Sequence, residues 1–294
     1  MCSCSAKVAH WTLLPSASNA TATISNGTTA AKKAYVIANT GALANGPFAT
    51  VKTEADLLAV AGSLMDDTDN ASTQTKTNLW MSGENDVTFN GTTGTTTVTL
   101  SYVAAKIQLI VKDKRTNMSG GTIQITDDEV VLLFAGQQGK FFGNPAEKSV
   151  QTHFYTGHDG YNGAFNTNVT KSTALSDQVT TPFTDNTGNT VFNHFYTFGN
   201  DGTTQPTILA IKSTKTVNSA ASTIYYPVHF TTADARHTIE PGKSYTVTVT
   251  LNGDVAAGGG GGTTDPEAPV ISSAIDVTVT AAQWVTQPVD KVFN

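Results

Sequence analysis

Residues 95–113 read TTTVTLSYVAAKIQLIVKD, and the fold turns on how the apolar side chains of this stretch alternate. Val98, Leu100, Tyr102 and Ala104 share one parity, whereas Val103, Ala105, Ile107, Leu109 and Val111 share the other. Successive side chains of a strand point to opposite faces, so one straight strand cannot bury both sets against a single core. The run is therefore expected to bulge or bend near Val103 and to change sheets there, as strands of sandwiches do.

On either side the chain repeats the strand signal in shorter form. Val8, Trp11, Leu13 and Leu14 suggest a weak first strand, and Tyr35 to Ala38 form a short apolar run closed by the turn residues Asn39, Thr40 and Gly41. Thr53 and Asp56 make a capping-box pair ahead of Leu57, Val60, Ala61 and Leu64, which predicts a helix whose apolar stripe lies on a sheet. Ile123 and Ile125 open another strand, and Val130 to Phe134 is apolar throughout, as in the middle of a packed layer. Further strands are expected at Val191 to Phe198, Ile208 to Ile211, Ile224 to Phe230 and Ser244 to Leu251. The polar, glycine-rich stretch from Gly136 to Asn144, followed by Pro145, suggests a domain boundary. The expected architecture is all-β: an antiparallel β-sandwich with one short helix over residues 1–144, a second over 145–257, and a tail over 258–294.

Composition narrows the function. Only 14% of the 294 residues are charged, the formal net charge is −6, and arginine occurs only at Arg115 and Arg236. A surface that tracks phosphates needs more cations, which argues against a nucleic-acid partner. Cys2 and Cys4 are one residue apart, too close for an unstrained disulfide and too few for a zinc site, so the fold is expected to stand without cysteine. Cys2 fits the remnant of a lipid-anchoring site as well as an added sequence. No apolar run is long enough to span a bilayer, and no charged-then-apolar leader is visible, which leaves a processed start open.

The tail has its own character. After Gly258 to Gly262, a run expected to act as a flexible tether, residues 269–294 read PVISSAIDVTVTAAQWVTQPVDKVFN. Ile275, Val277, Val279 and Ala281 alternate with Asp276, Thr278 and Thr280, a strand with one face meant for burial and no hairpin partner beside it. Extended at ~3.3 Å per residue the tail would reach on the order of 100 Å, against about 45 Å for the body. It can turn back onto its own sheet or cross to a neighbouring molecule.

Candidate chemistry is thin. Asp66, Asp67, Asp69 and Asn70 lack the spacing and distal glutamate of a calcium loop. Asp127, Asp128 and Glu129 look like a turn between strands, and adjacent strand residues fix no carboxylate separation for glycoside chemistry. His153 and His158 lie in a Gly-containing loop without the spacing of a helical zinc site, and GGGGG lacks the strand, helix and lysine of a phosphate-binding loop. No catalytic residue, metal or cofactor is expected, so the chain does not read as an enzyme.

In their order along the chain, several short motifs resemble the fimbrillins of Bacteroidales, the structural subunits of type V pili. KAYVIANTG resembles the family's early strand, LWMSGE at Leu79 to Glu84 its Met-Ser-Gly turn, and AAKIQLIVKD at Ala104 to Asp113 its Ala-Lys-Ile strand. FYTFGND at Phe195 to Asp201 resembles its aromatic strand, YYPVHF with KSYTVTVTLNG its closing hairpin, and VTVTAAQW at Val277 to Trp284 its terminal strand. The resemblance implies two transthyretin-like sandwiches and export to the outer membrane surface, with membrane contact only through a lipidated precursor. It also implies removal of a first strand by a protease and polymerisation by donation of the C-terminal strand. On that reading Ile275, Val277, Val279 and Ala281 face a neighbour's groove, Trp284 anchors the end, Val292 and Phe293 seat a second contact, and residues 1 to 30 leave an apolar slot in the first domain.

The partners implied are further copies of the chain in an extracellular filament, with room for tip and anchor subunits and a host surface ligand. A surface adhesin that stays monomeric or sits at a tip is the alternative. Two departures stand out: Tyr102 replaces the arginine that usually precedes Ala-Lys-Ile, and no arginine precedes Arg115 as a processing site. The chain is then either already cleaved, cleaved at Lys7, Lys32 or Lys33, or not cleaved.

Overall fold

The computed structural model describes residues 21–24, 29–39, 48–63, 79–158, 169–183, 190–191, 194–230, 238–268, 275–284 and 287–293. The run that opened the sequence reading breaks where its parity changes. Strand β6 (Thr93–Tyr102) ends in a bend at Val103 and Ala104, and β7 (Ala105–Asp113) continues in a different sheet. Val98 and Leu100 are buried in one cluster, while Ile107, Leu109 and Val111 are buried in another. The bend thus reconciles two apolar rows that no regular strand could bury together.

Strand β6 belongs to a sheet of order β1-β20-β6-β4-β2, with β1 at Thr21–Ile24, β2 at Lys33–Ala38, β4 at Met81–Asp86 and β20 at Gln287–Phe293; β5 (Thr88–Asn90) also pairs with β6. Within LWMSGE, Met81 to Glu84 form the start of β4 rather than a turn, and Leu79 and Trp80 lead into it. Glycine suits that strand because a Cβ at Gly83 would come 2.2 Å from the Thr99 carbonyl oxygen. Over this sheet lies α1 (Glu54–Ala59), whose capping box of Thr53 and Asp56 is complete and which buries Leu57. The helix stops at Val60 rather than running to Leu64, and β3 (Ala61–Ser63) follows, pairing with β10 (Gln138–Lys140).

The second unit is a two-sheet sandwich. One sheet runs β14-β7-β18-β19, from β14 (Thr190–Val191) through β18 (Lys243–Leu251) to β19 (Ile275–Gln283), and β15 (Phe195–Thr197) also pairs with β7. The other runs β13-β8-β16-β17, with β8 at Ile123–Leu133, β13 at Ser176–Gln178, β16 at Thr207–Val217 and β17 at Ala220–Phe230. Val247 and Val249 from one sheet meet Leu209, Ile211, Tyr226 and Val228 from the other. The outer face of the second sheet buries Val131, Leu133, Ile208 and Ala210 with Phe154 of β11 (Phe154–Thr156), which lies between β12 (Val169–Lys171) and β9 (Ala135–Gly136). A one-turn helix, α2 (Pro145–Lys148), follows the first glycine-rich stretch.

Several expectations need correction. Because β7 and β8 pair with β18 and β16, the sheets divide at Val103 and Ala104, not at Pro145. The motifs YYPVHF and KSYTVTVTLNG lie in opposite sheets and form no hairpin. Asp127, Asp128 and Glu129 lie within β8 rather than in a turn. There the register against β16 shifts between Lys212 and Ser213, leaving Asp128 as the extra residue of a bulge. The shift explains why Ile125 and Val130, of opposite parity, both face the same core.

That bulge delivers Asp127 to a buried ion-pair cluster. The Arg115 guanidinium donates from Nε to Asp113 Oδ1 at 2.9 Å and from Nη2 to Asp113 Oδ2 at 2.7 Å and to Asp127 Oδ2 at 2.6 Å. It also reaches the Tyr226 hydroxyl at 3.2 Å, and Ser213 donates to Asp127. Asp113 ends β7 and Asp127 sits in β8, so one cation ties the two sheets together at the end of the sandwich. The hydrogen bonds and the two carboxylates raise the arginine's affinity for its proton against the cost of burial. Replacing Arg115 with Met should leave two buried carboxylates without their cation and cost about 3–5 kcal/mol. Urea unfolding should show a lower midpoint, and Lys at this site should restore only part because it lacks the planar fork.

Candidate functional site

The tail does not hang free from its glycine run. Gly259 N–H donates to the Asp254 carbonyl at 2.7 Å, Gly258 N–H to Val255 at 3.0 Å, and the Tyr226 hydroxyl donates to the Gly260 carbonyl. A Cβ at Gly262 would come 2.3 Å from the Tyr225 carbonyl oxygen, so the absent side chain is what lets the strap lie flat on β17. Thr263 and Tyr225 then exchange both main-chain bonds, at 2.7 and 2.9 Å. The run expected to be a flexible tether is instead a fitted strap, because close approach to neighbouring backbone demands glycine as much as flexibility does.

Beyond the strap, β19 adds antiparallel to β18 in continuous register, Lys243 opposite Gln283 through Leu251 opposite Ile275. The expected alternation is present. Ile275 is buried in the sandwich core, Val277, Val279 and Ala281 pack against that core half-buried, and Asp276, Thr278 and Thr280 are exposed. The core is therefore the chain's own. By contrast Val247 and Val249 of β18 are fully covered.

Trp284 ends this strand as a wedge between the two units. Its ring stacks on Tyr102 from the end of β6, centroids 4.0 Å apart, and lies parallel to Tyr196 of β15 at 5.6 Å. The main-chain N–H of Trp284 donates to the Gly242 carbonyl at 2.8 Å, and Gly242 N–H donates to the carbonyl of Ala104, a residue of the bend. Burial pushes the Tyr102 and Tyr196 hydroxyls above the ordinary tyrosine range. Thus Tyr102, which stands where the arginine was expected, serves as half of the tryptophan's slot. No pattern in the sequence marked Tyr196 as its other wall, since the two tyrosines are 94 positions apart and meet only through the fold.

Val292 and Phe293 fall in β20, which pairs antiparallel with β6, Gln287 opposite Leu100 through Phe293 opposite Gly94. On its other edge β20 pairs in parallel with β1. The slot expected in the first sheet is accordingly filled by the chain's own C-terminal strand, with the N-terminal strand alongside it.

Other candidates are less organised. Residues 66–70, Cys2 and Cys4, and the early strand around Val8 to Leu14 lie outside the described residues, as do Lys7 and Arg236. His158 contacts the Tyr225 hydroxyl and His153 the Thr152 hydroxyl, and among the described residues no three His, Cys, Asp or Glu side chains gather as a metal set. Arg115 is buried, whereas Lys32 is exposed between β1 and β2. No helix among the described residues is long and apolar enough to cross a membrane.

An all-β subunit whose terminal strands complete its sheets is the class these features define. Two family models match the sequence: the FimA-like major fimbrial subunit protein, C-terminal domain, over residues 104–284, and the major fimbrial subunit protein (FimA) over residues 6–133. The chain belongs to this fimbrial subunit family. The first of the two matches begins at the bend where the sheets divide. A candidate cell adhesion protein from Bacteroides eggerthii is 74% identical, with a TM-score of 0.82 over 90% of this chain and 80% of that one. Another from Parabacteroides distasonis shares the fold at 18% identity, with a TM-score of 0.52 over 87% of this chain and 84% of that one. No curated protein matches.

Two outcomes follow from this geometry. Trp284→Ala should cost about 3–5 kcal/mol in chemical denaturation, as for large core aromatics, whereas Thr280→Ala, on the exposed face of the same strand, should change stability by less than about 0.5 kcal/mol. Tyr225 and Tyr245 are pushed by burial up to about 12. Unfolded tyrosines ionise near pH ~10, so between these values the unfolded chain has shed protons that the folded chain keeps. Stability should be full below pH ~10 and fall as pH rises above it, visible as a declining Tm across an alkaline series.

Proposed function

We propose that this chain is a non-enzymatic structural subunit of an extracellular pilus, and that it polymerises by passing its C-terminal tail to a neighbouring copy. The reading is supported above all by the place of β20, inside the first sheet between β6 and β1. A strand that closes a sheet from the far end of the chain can be replaced by the same strand of another copy with every main-chain pair reformed, which is the economy of domain swapping and of strand addition. The half-buried row Val277, Val279 and Ala281 marks β19 as less tightly held than β18 beside it, whose Val247 and Val249 are fully covered. In an exchanged assembly the donor residues are Ile275, Val277, Val279, Ala281 and Trp284 in β19 and its end, with Val292 and Phe293 in β20. Export through a lipidated precursor to the outer membrane surface completes the reading, and tip and anchor subunits are its other partners.

Deleting residues 275–294 removes both strands and should abolish fibres in electron micrographs of purified, matured subunits; abundant fibres from the shortened chain would end the proposal. Val277→Asp, which buries an unpaired carboxylate, should block assembly, whereas Thr278→Asp on the exposed face should leave it near normal. Equal effects would overturn the assignment of faces.

A further inference from the structure

The strand order leaves β19 at the edge of its sheet, and among the described residues no strand pairs with its outer side. The direction of its main-chain groups follows from two contacts. Lys114 N–H donates to Leu251 C=O, so odd-numbered residues of β18 point to β7 and even-numbered ones to β19; Trp284 N–H donates to Gly242 on the same pattern. The N–H and C=O groups of Ile275, Val277, Val279, Ala281 and Gln283 therefore face outward. This edge carries no proline, lysine or bulge, the usual guards of an open strand, and its one charge is Asp276. The edge strand of the opposite sheet is guarded: Tyr225 of β17 is covered by Thr263, and Pro227, two residues on, presents no N–H outward.

We propose that the outer edge of β19 is a self-recognition surface, through which two copies of this chain pair antiparallel about a two-fold axis at Val279. The occupant is set by complementarity. With Val279 opposite its own copy, Val277 meets Ala281 and Ile275 meets Gln283, all residues whose main-chain groups point outward, giving about ten hydrogen bonds across the pair. On the core side, the half-buried valines of each copy cover those of the other. On the exposed side, Asp276, the strand's one charge, meets Ala282, so no like charges oppose. The β18–β19 ladder already shows the same Val-Thr-Val-Thr sequence pairing antiparallel with its like. An isologous pair of this kind closes at two subunits. It uses β19 while that strand remains on its own subunit, so it does not depend on strand exchange and would hold the tail docked before assembly.

Sedimentation of the full chain up to about 200 μM should reveal a species of twice the 30.8 kDa chain mass. Ala282→Asp places a carboxylate against Asp276 of the other copy at each end of the pair and should weaken dimerisation about tenfold. Adding Asp276→Lys to that variant should restore it. Val279→Pro should also abolish the dimer while circular dichroism and Tm stay close to the parent, because the lost N–H does not face β18; should this variant fail to fold, the charge pair alone decides. A chain that stays monomeric throughout this range overturns the proposal. So does a dimer indifferent to Ala282→Asp, as in a swapped dimer, where residue 282 would face Ser244 of the partner subunit. Fibre formation is scored separately, and its loss in the tail deletion bears on strand exchange alone.

Discussion

A strand can offer only one parity of side chains to a core, and this constraint governs the whole molecule. Residues 95–113 carry two apolar rows out of phase, and the chain resolves the conflict by bending at Val103 and Ala104, so that one row serves each unit. Everything at the junction is arranged around that bend. Gly242 binds Ala104, Trp284 binds Gly242, and the tryptophan ring fills the space between Tyr102 before the bend and Tyr196 on a strand that pairs just beyond it. A second phase conflict, in β8, is resolved by a bulge instead, because there both rows must reach the same core. The bulge also carries Asp127 into the ion-pair cluster with Arg115, which joins the sheets where the apolar core ends.

The tail obeys the same logic. Its first strand continues one sheet of the second unit, its tryptophan crosses the junction, and its second strand enters the sheet of the first unit. Both units are thus stabilised by residues that follow the body of the chain. These contacts are made mainly through main-chain pairing and one aromatic anchor, the kind of contact on which the proposed strand exchange draws.

How much of this was legible in the sequence depended on the range of the signal. The parity clash near Val103, the capping box of Thr53 and Asp56 and the alternation of Ile275 to Ala281 are local patterns, and each reappears in the structure where the sequence places it. The division between the units was misplaced because a glycine-rich stretch before Pro145 looks like a linker, whereas the change of sheet lies inside a run with no glycine or proline. The glycine run misled for a related reason: composition reports freedom of the unfolded chain and is silent about the backbone that will lie against it, here that of Tyr225. Asp127 to Glu129 look like a turn because three acids in a row rarely suit a strand, and only the pairing partners Arg115, Thr214 and Lys212 make them fit. Tyr196 could not have been found at all, as nothing local distinguishes it from the other tyrosines.

The parallel pairing of β1 with β20 has a consequence for synthesis. The first and last described strands lie side by side, so the sheet of the first unit contains contacts as distant in sequence as Thr21 with Asp290. Loop closure over such a distance must be met before those contacts contribute, which makes this topology slow. As the chain is made from its N-terminus, β6 waits with one edge bare until Gln287–Phe293 emerge. For that interval the nascent subunit presents an edge ready to accept any complementary strand, including one belonging to a sibling chain.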